Sequence, residues 1–404
     1  MKQLLLTGAA QVVTCETPDP RSVKTSVSLA IEDGRIAAIG PLESIAPRFP
    51  AAERMSCDGG VLAPGFVDAH THAVFGGWRA GEYALRSTGV PYMEIARRGG
   101  GINASVRDVR SRSEEELTRL TRERLRTMIS LGTTTAEVKS GYGLETGAEL
   151  KMLRVVRTLS QEGPLDLEPT FLGAHEFPPE FADRRDGYVD LLCNEMIPAV
   201  AAERLARFCD VFMEPGVFTG PQARRVLEAG LDHGLIPRLH ADEFAWSGGA
   251  ELGASLGASS VDHLACISEA GIAALAASGT VGMLLPATMF FLGKTTQAPA
   301  RRMTEAGVHL ALATDFNPGS APSSSMPLVL TMACSQLGLS PLEAIFAATA
   351  GGARALRLTD GRGTIQPGAP ADLVLWGVDH HDEIPYHFGK PPVRGVWKRG
   401  VRVF

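Results

Sequence analysis

Residues 64–72 read Pro64-Gly65-Phe66-Val67-Asp68-Ala69-His70-Thr71-His72. A short apolar run ends there in two imidazoles separated by one residue. In extended backbone, residues i and i+2 point the same way, so both rings can project together from one strand end.

The same pattern of apolar strand, polar loop and amphipathic helix recurs from about residue 61. Eight strand patterns fall at residues 66–69, 134–138, 168–172, 211–213, 235–239, 260–262, 280–285 and 309–313. Eight alternating units predict a closed (β/α)₈ barrel rather than an open sheet. One helix is predicted to begin at Ser113, where Glu116 completes a capping box and Leu117, Leu120, Leu125 and Met128 form an apolar stripe. Its Arg and Glu residues read as a solvated face.

Both ends of the chain are β-like. Residues 26–31 alternate with period two, Glu32-Asp33-Gly34 supplies a turn, and residues 35–39 return as a hairpin. After about residue 360, strand patterns appear at 371–376, 393–397 and 401–404. The expected fold is therefore α/β, with a TIM-type barrel over 61–360 and a small β-sandwich-like domain made from 1–60 and 361–404. The 404 residues suit a barrel of about 250 plus something smaller.

Hydrophobic residues at 45% and charged residues at 21% give the balance of a soluble globular protein. No apolar run approaches the roughly 18 residues of a membrane span. The first residues are too soon interrupted for a secretory signal and read as a strand, so a cytoplasmic protein is expected. Net charge is −6, with no basic cluster to grip phosphates, which argues against nucleic acid. The six cysteines are scattered without a CxxC pair, as in a reduced protein with no zinc ribbon. Any metal must be held mainly by His and carboxylate.

In a (β/α)₈ barrel the residues after each strand converge on one mouth, where active sites sit. Here strand one is followed by His70-Thr71-His72, strand three by His175, and strand five by His240-Ala241-Asp242-Glu243. Strand six is followed by His263 and strand eight by Thr314-Asp315. His70, His72, His240 and Asp315 suit zinc or another first-row metal ion. The end of strand four, Phe212-Met213-Glu214, lacks the Lys whose carbamate bridges two metals in some barrel hydrolases, so one metal is expected. Glu243, three residues after His240, can take a proton from water and return it to a leaving nitrogen. Asp315 is a second candidate for that shuttle.

The segment Pro64–His72, the later His and Asp, and Ala371-Asp372-Leu373-Val374 resemble the amidohydrolase superfamily over nearly the whole chain. Within it, residues 74–79, 99–102, 137–144, 171–175 and 314–320 are similar to the imidazolonepropionase family. The resemblance implies hydrolytic opening of the ring of 4-imidazolone-5-propanoate, a step of histidine degradation, with one zinc or iron ion per subunit and a homodimeric assembly. It implies Arg79 for the substrate carboxylate, Tyr142 and His175 for the ring, and Asn317, Gly319 and Ser320 for the glutamate-like end. Glu243 would contact substrate as well as move protons, and His263 would stabilise the oxyanion. A related deaminase, or a metal-free scaffold, is the competing expectation.

Overall fold

The computed structural model describes residues 3–90, 94 and 99–404. Seven strands precede the barrel: β1 (Gln3–Thr7), β2 (Gln11–Val13), β3 (Val23–Lys24), β4 (Ser28–Glu32), β5 (Arg35–Gly40), β6 (Glu53–Ser56) and β7 (Val61–Pro64). The barrel follows as β8 (Phe66–Asp68), β9 (Thr133–Lys139), β10 (Asp166–Ala174), β11 (Phe208–Met213), β12 (Ile236–Ala241), β13 (Ser260–His263), β14 (Val281–Leu284) and β15 (Leu310–Leu312). Three more strands close the chain: β16 (Leu373–Trp376), β17 (Val393–Lys398) and β18 (Val401–Arg402).

The two termini build one domain. A sheet β5-β4-β1-β6 faces a sheet β18-β17-β16-β7-β2-β3, which mixes strands from both ends. The expected hairpin is β4–β5, turned by Asp33 and Gly34, both at positive φ (48° and 81°). Period-two alternation divides the six-stranded sheet between two cores. Leu62, Leu373, Leu375 and Trp397 meet Leu4, Leu6, Leu29 and Ile31 inside the sandwich. Val61, Ala63, Val374 and Trp376 join the barrel's core from the opposite face, where Trp376 lies 5.6 Å from Phe66. Since β7 belongs to this sheet, the chain crosses into the barrel at Gly65.

The eight barrel strands are parallel and run in sequence order from β8 to β15. The two ends of that sheet meet just beyond the strands. Asp315 N–H donates to His70 O at 3.1 Å, His72 N–H donates to Phe316 O at 2.9 Å, and Thr71 bridges Phe316. Asp68 locks the same junction, accepting from Thr314 N–H at 3.0 Å and from its hydroxyl at 2.6 Å.

The helix Glu114–Ser130 departs from expectation in two ways. Ser113 accepts from Glu116 N–H at 3.1 Å, but the Glu116 carboxylate pairs with Arg112 instead of completing the capping box. Its polar face is not all solvated either. Arg124 is buried and donates to the carbonyls of Ala73 (3.1 Å), Phe75 (2.5 Å) and Gly76 (2.7 Å), with its guanidinium over the Phe75 ring. A helix of the barrel's outer ring thus clamps the loop that follows His72. Among the described residues no helix is long and apolar enough to cross a membrane.

Candidate active site

Closure of the barrel brings His70, His72 and Asp315 together, and β12 delivers His240 from the strand end across the mouth. The His70 ring centroid lies 4.4 Å from that of His240 and 5.3 Å from that of His72. Asp315 Oδ1 lies 3.4 Å from His70 Nε2 and 3.3 Å from His72 Nε2. All four side chains are buried. His70 Nε2 and His240 Nε2 have no hydrogen-bond partner. Buried polar atoms are nearly always satisfied, so orphaned nitrogens beside a carboxylate fit a bound cation.

The opposite ring nitrogens are held. His70 Nδ1 is 2.6 Å from Asp262 Oδ2, and His240 Nδ1 is 3.0 Å from Asp210 Oδ1. A carboxylate there fixes the tautomer and leaves Nε2 free to ligate. Asp315 Oδ2 accepts from the Thr288 hydroxyl at 2.6 Å, which turns its other oxygen toward the histidines. Burial alone would push Asp315 up, but His70 and His72 hold its carboxyl well below the usual range. Burial and the neighbouring His70 push His240 well below the ordinary imidazole value.

Below these four residues the barrel carries a layer of buried charge. Glu137, Lys139, Asp210, Arg238 and Asp262 are fully buried. Arg238 donates to Asp262 Oδ2 at 2.9 Å and to Ala69 O at 2.8 Å. None of these five, nor Asp68, was assigned a role from sequence. A usable signal existed: each is a charged residue within or at the end of a strand pattern, and Asp68 and Arg238 stand two residues before His70 and His240.

Glu243 and His263 flank the histidines. His263 Nδ1 is 3.5 Å from Glu243 Oε1, and the Glu243 N–H donates to Glu214 Oε1 at 2.5 Å. Burial, then the Asp315 and Glu214 carboxylates, push Glu243 well above the usual carboxyl range. Burial pulls His263 down to about 4. Asp242, His263 and Asp315 all have positive φ (53°, 81° and 52°), a conformation that non-glycine residues adopt at a cost of about 1–3 kcal/mol. Strained backbone therefore recurs where strands deliver polar side chains.

Tyr142 and His175 form the wall beside His72. His175 stacks on His72 at 5.1 Å between centroids, and Tyr142 lies 5.4 Å from His175. His175 Nδ1–H donates to Gly141 O at 3.0 Å, and burial pulls this imidazole down to about 3. Gly141 sits at φ +104°, and a Cβ there would meet His175 Nδ1 and Leu172 O at 2.9 Å. The loop is organised by buried Glu149, which sequence reading also missed. Its carboxylate accepts from the N–H groups of Gly141 (3.0 Å), Gly143 (2.7 Å) and Leu144 (2.9 Å).

Arg79 is only partly buried. Its Nε donates to Glu82 Oε2 at 3.1 Å, and Glu82 Oε1 accepts from Gly101 N–H at 3.0 Å, tying the glycine-rich segment to this arginine. The guanidinium lies against Gly319, where an added Cβ would come within 2.4 Å of it. Asn317, Gly319 and Ser320 are turned on one another: Asn317 Oδ1 accepts from Gly319 N–H (2.8 Å) and Ser320 N–H (2.7 Å), and its amide donates to Asp315 O (2.6 Å). In this state they shape the loop behind Asp315, and Gly319 N–H is already engaged.

The amidohydrolase family model matches residues 213–403, and a bacterial imidazolonepropionase-like composite domain matches residues 29–52. The imidazolonepropionase of Symbiobacterium thermophilum is 46% identical, covering 98% of this chain and 96% of its own. That of Myxococcus xanthus is 44% identical, with the same coverage of 98% and 96%. Among solved structures, a zinc-bound adenosine deaminase from Xanthomonas campestris superposes with a TM-score of 0.76 at 23% identity, covering 99% of this chain and 92% of that one. E. coli guanine deaminase also reaches 0.76, at 15% identity, covering 100% and 99%. At that identity these two establish the shared fold alone.

Proposed function

The chain belongs to the imidazolonepropionase family of metal-dependent amidohydrolases, and on that premise we propose how its barrel mouth opens the ring of 4-imidazolone-5-propanoate to give N-formimidoyl-L-glutamate. It is a hydrolase acting on a C–N bond. The observation that carries the site assignment is that His70 clusters with His72 and Asp315 on one side and with His240 and His263 on the other, with orphaned buried ring nitrogens among them.

These four residues would hold one ion, zinc or iron, since three imidazoles and a carboxylate suit either. When bound, the ion would lower the pKa of water toward 7 and polarise the ring carbonyl. Glu243, whose carboxyl burial holds above its usual range, takes a proton from the attacking water and passes it to the departing ring nitrogen. His263, kept neutral by burial, donates its ring N–H to the oxygen on which charge develops. Asp315, ionised beside His70 and His72, supplies ligand charge and a second acceptor for the proton. Tyr142 and His175 receive the ring. Arg79 receives the propionate by exchanging Glu82 for the substrate carboxylate, a bidentate pairing its planar fork favours.

The test is turnover of imidazolone propionate and of its decarboxylated analogue by protein of measured metal content. Hydrolysis of the acid with one metal per chain, and poor use of the analogue, is expected. Equal rates for the two would overturn the Arg79 assignment. Activity on nucleobases instead would favour a deaminase.

A further inference from the structure

Beneath the histidines the barrel axis holds an ammonium group that the reaction above does not use. Lys139 ends β9 and is fully buried. Its Nζ donates to Glu137 Oε1 at 2.8 Å and to Asp210 Oδ2 at 2.7 Å, and Asp262 Oδ2 lies 3.9 Å away. Each carboxylate has a second contact that leads to the mouth. Asp210 Oδ1 is 3.0 Å from His240 Nδ1, and Asp262 Oδ2 is 2.6 Å from His70 Nδ1. Glu137 Oε2 accepts from the N–H of Thr71 at 3.1 Å, the residue between His70 and His72. One cation therefore gathers three carboxylates from three different strands, two of which hold histidine rings and the third the backbone between His70 and His72.

We propose that Lys139 is the positioning residue of the metal centre, setting the directions of His70 and His240 through Asp262 and Asp210. The physical reason is the clustering of like charge in a low-dielectric interior. Three carboxylates aimed at one point repel one another, and without a cation between them they would turn apart. The histidine Nδ1 groups would then lose the acceptors that hold their rings. Arg238 also sets its charge near all three carboxylates, but its hydrogen bond goes to Asp262 alone, so it does not replace the contacts of Lys139 with Glu137 and Asp210. This inference rests on the metal reading above.

The test compares Lys139→Met, Asp210→Asn and the double variant with the wild-type enzyme. Metal affinity is read by competition with a chelator, ring geometry by the visible bands of cobalt-substituted protein, and folding by thermal melting. Loss of an outer partner of a metal ligand typically weakens binding about 10–100-fold, and Lys139→Met should do so with altered cobalt bands. The double variant should bind little worse than the weaker single variant, because both act along one path. A folded Lys139→Met with affinity within twofold of wild type and unchanged bands would overturn the proposal, as would fully additive losses. If Lys139→Met does not fold, Lys139→Gln, which keeps donors without the charge, is read the same way. His240→Ala separates the two readings. Metal retained by His240→Ala sinks the ligand assignment itself, whereas metal lost there and kept in Lys139→Met sinks only the role of Lys139.

Discussion

Asp315 is joined to His70 twice: its backbone N–H donates to the His70 carbonyl at 3.1 Å, and its Oδ1 lies 3.4 Å from His70 Nε2. The first contact closes the barrel and the second completes the proposed ligand set. Closing the sheet and building the site are thus one structural event. Asp315→Ala keeps the backbone contact and loses the carboxylate, so bound metal should fall far below one per chain while melting stays cooperative. Thr288→Val, which removes the 2.6 Å donor to Asp315 Oδ2, should weaken metal binding about 10–100-fold. Elemental analysis and chelator competition check both.

In the proposed mechanism Glu243 moves protons but is not among the ligands. Glu243→Gln should therefore keep its metal and lose about 10²–10⁴-fold in kcat, the usual worth of a positioned acid–base group. Near-normal turnover by a metal-loaded variant would refute that role.

Glu149 acts at a distance from the metal, holding three N–H groups of the loop that carries Tyr142. Displacing that loop by about 1 Å can cost on the order of 100-fold. Glu149→Ala should lower kcat/KM by up to that amount without changing metal content. Loss of metal in parallel with activity would instead indicate general collapse of the mouth.

His175 and His263 are pulled by burial to about 3 and about 4. An unfolded imidazole titrates near 6.5. Between these values the unfolded chain binds more protons than the folded one, so stability rises with pH across the window. The contribution is complete above about 6.5 and is lost as pH falls toward the folded values. The raised Glu243 carboxyl opposes this slope in metal-free protein. The readout is therefore the difference in melting temperature between wild type and His175→Phe, in which the His175 part of the pH dependence from 6.5 to 4 should be lost. An unchanged slope in the variant would count against a neutral, buried His175.

Arg124 satisfies three loop carbonyls from one guanidinium. Arg124→Met leaves them without that donor, and each buried unsatisfied group costs about 1–3 kcal/mol. A loss of roughly 3 kcal/mol or more in denaturant unfolding is expected, with KM rising because the clamped loop leads to Arg79.

The amino-acid order by itself determined the barrel, the paired termini and the polar residues at its mouth. Those features are local: apolar runs of strand length, a side-chain period of two, and a histidine or carboxylate just past several of the runs. His70, His72, His175, His240, His263 and Asp315 were legible for that reason, and the family segments added Arg79 and Tyr142. What only the tertiary structure decided is who holds them. His70 meets Asp262 across 192 residues of chain, and His240 meets Asp210 across 30. No periodicity connects such pairs, because the barrel makes strand ends neighbours around a circle and not along the sequence. The same closure buried Lys139 among three carboxylates and put Arg124 under the loop after His72. From sequence alone Lys139 was only part of a family motif, and Arg124 one charge on a helix. Most of their partners come together only when the strands curl into a barrel.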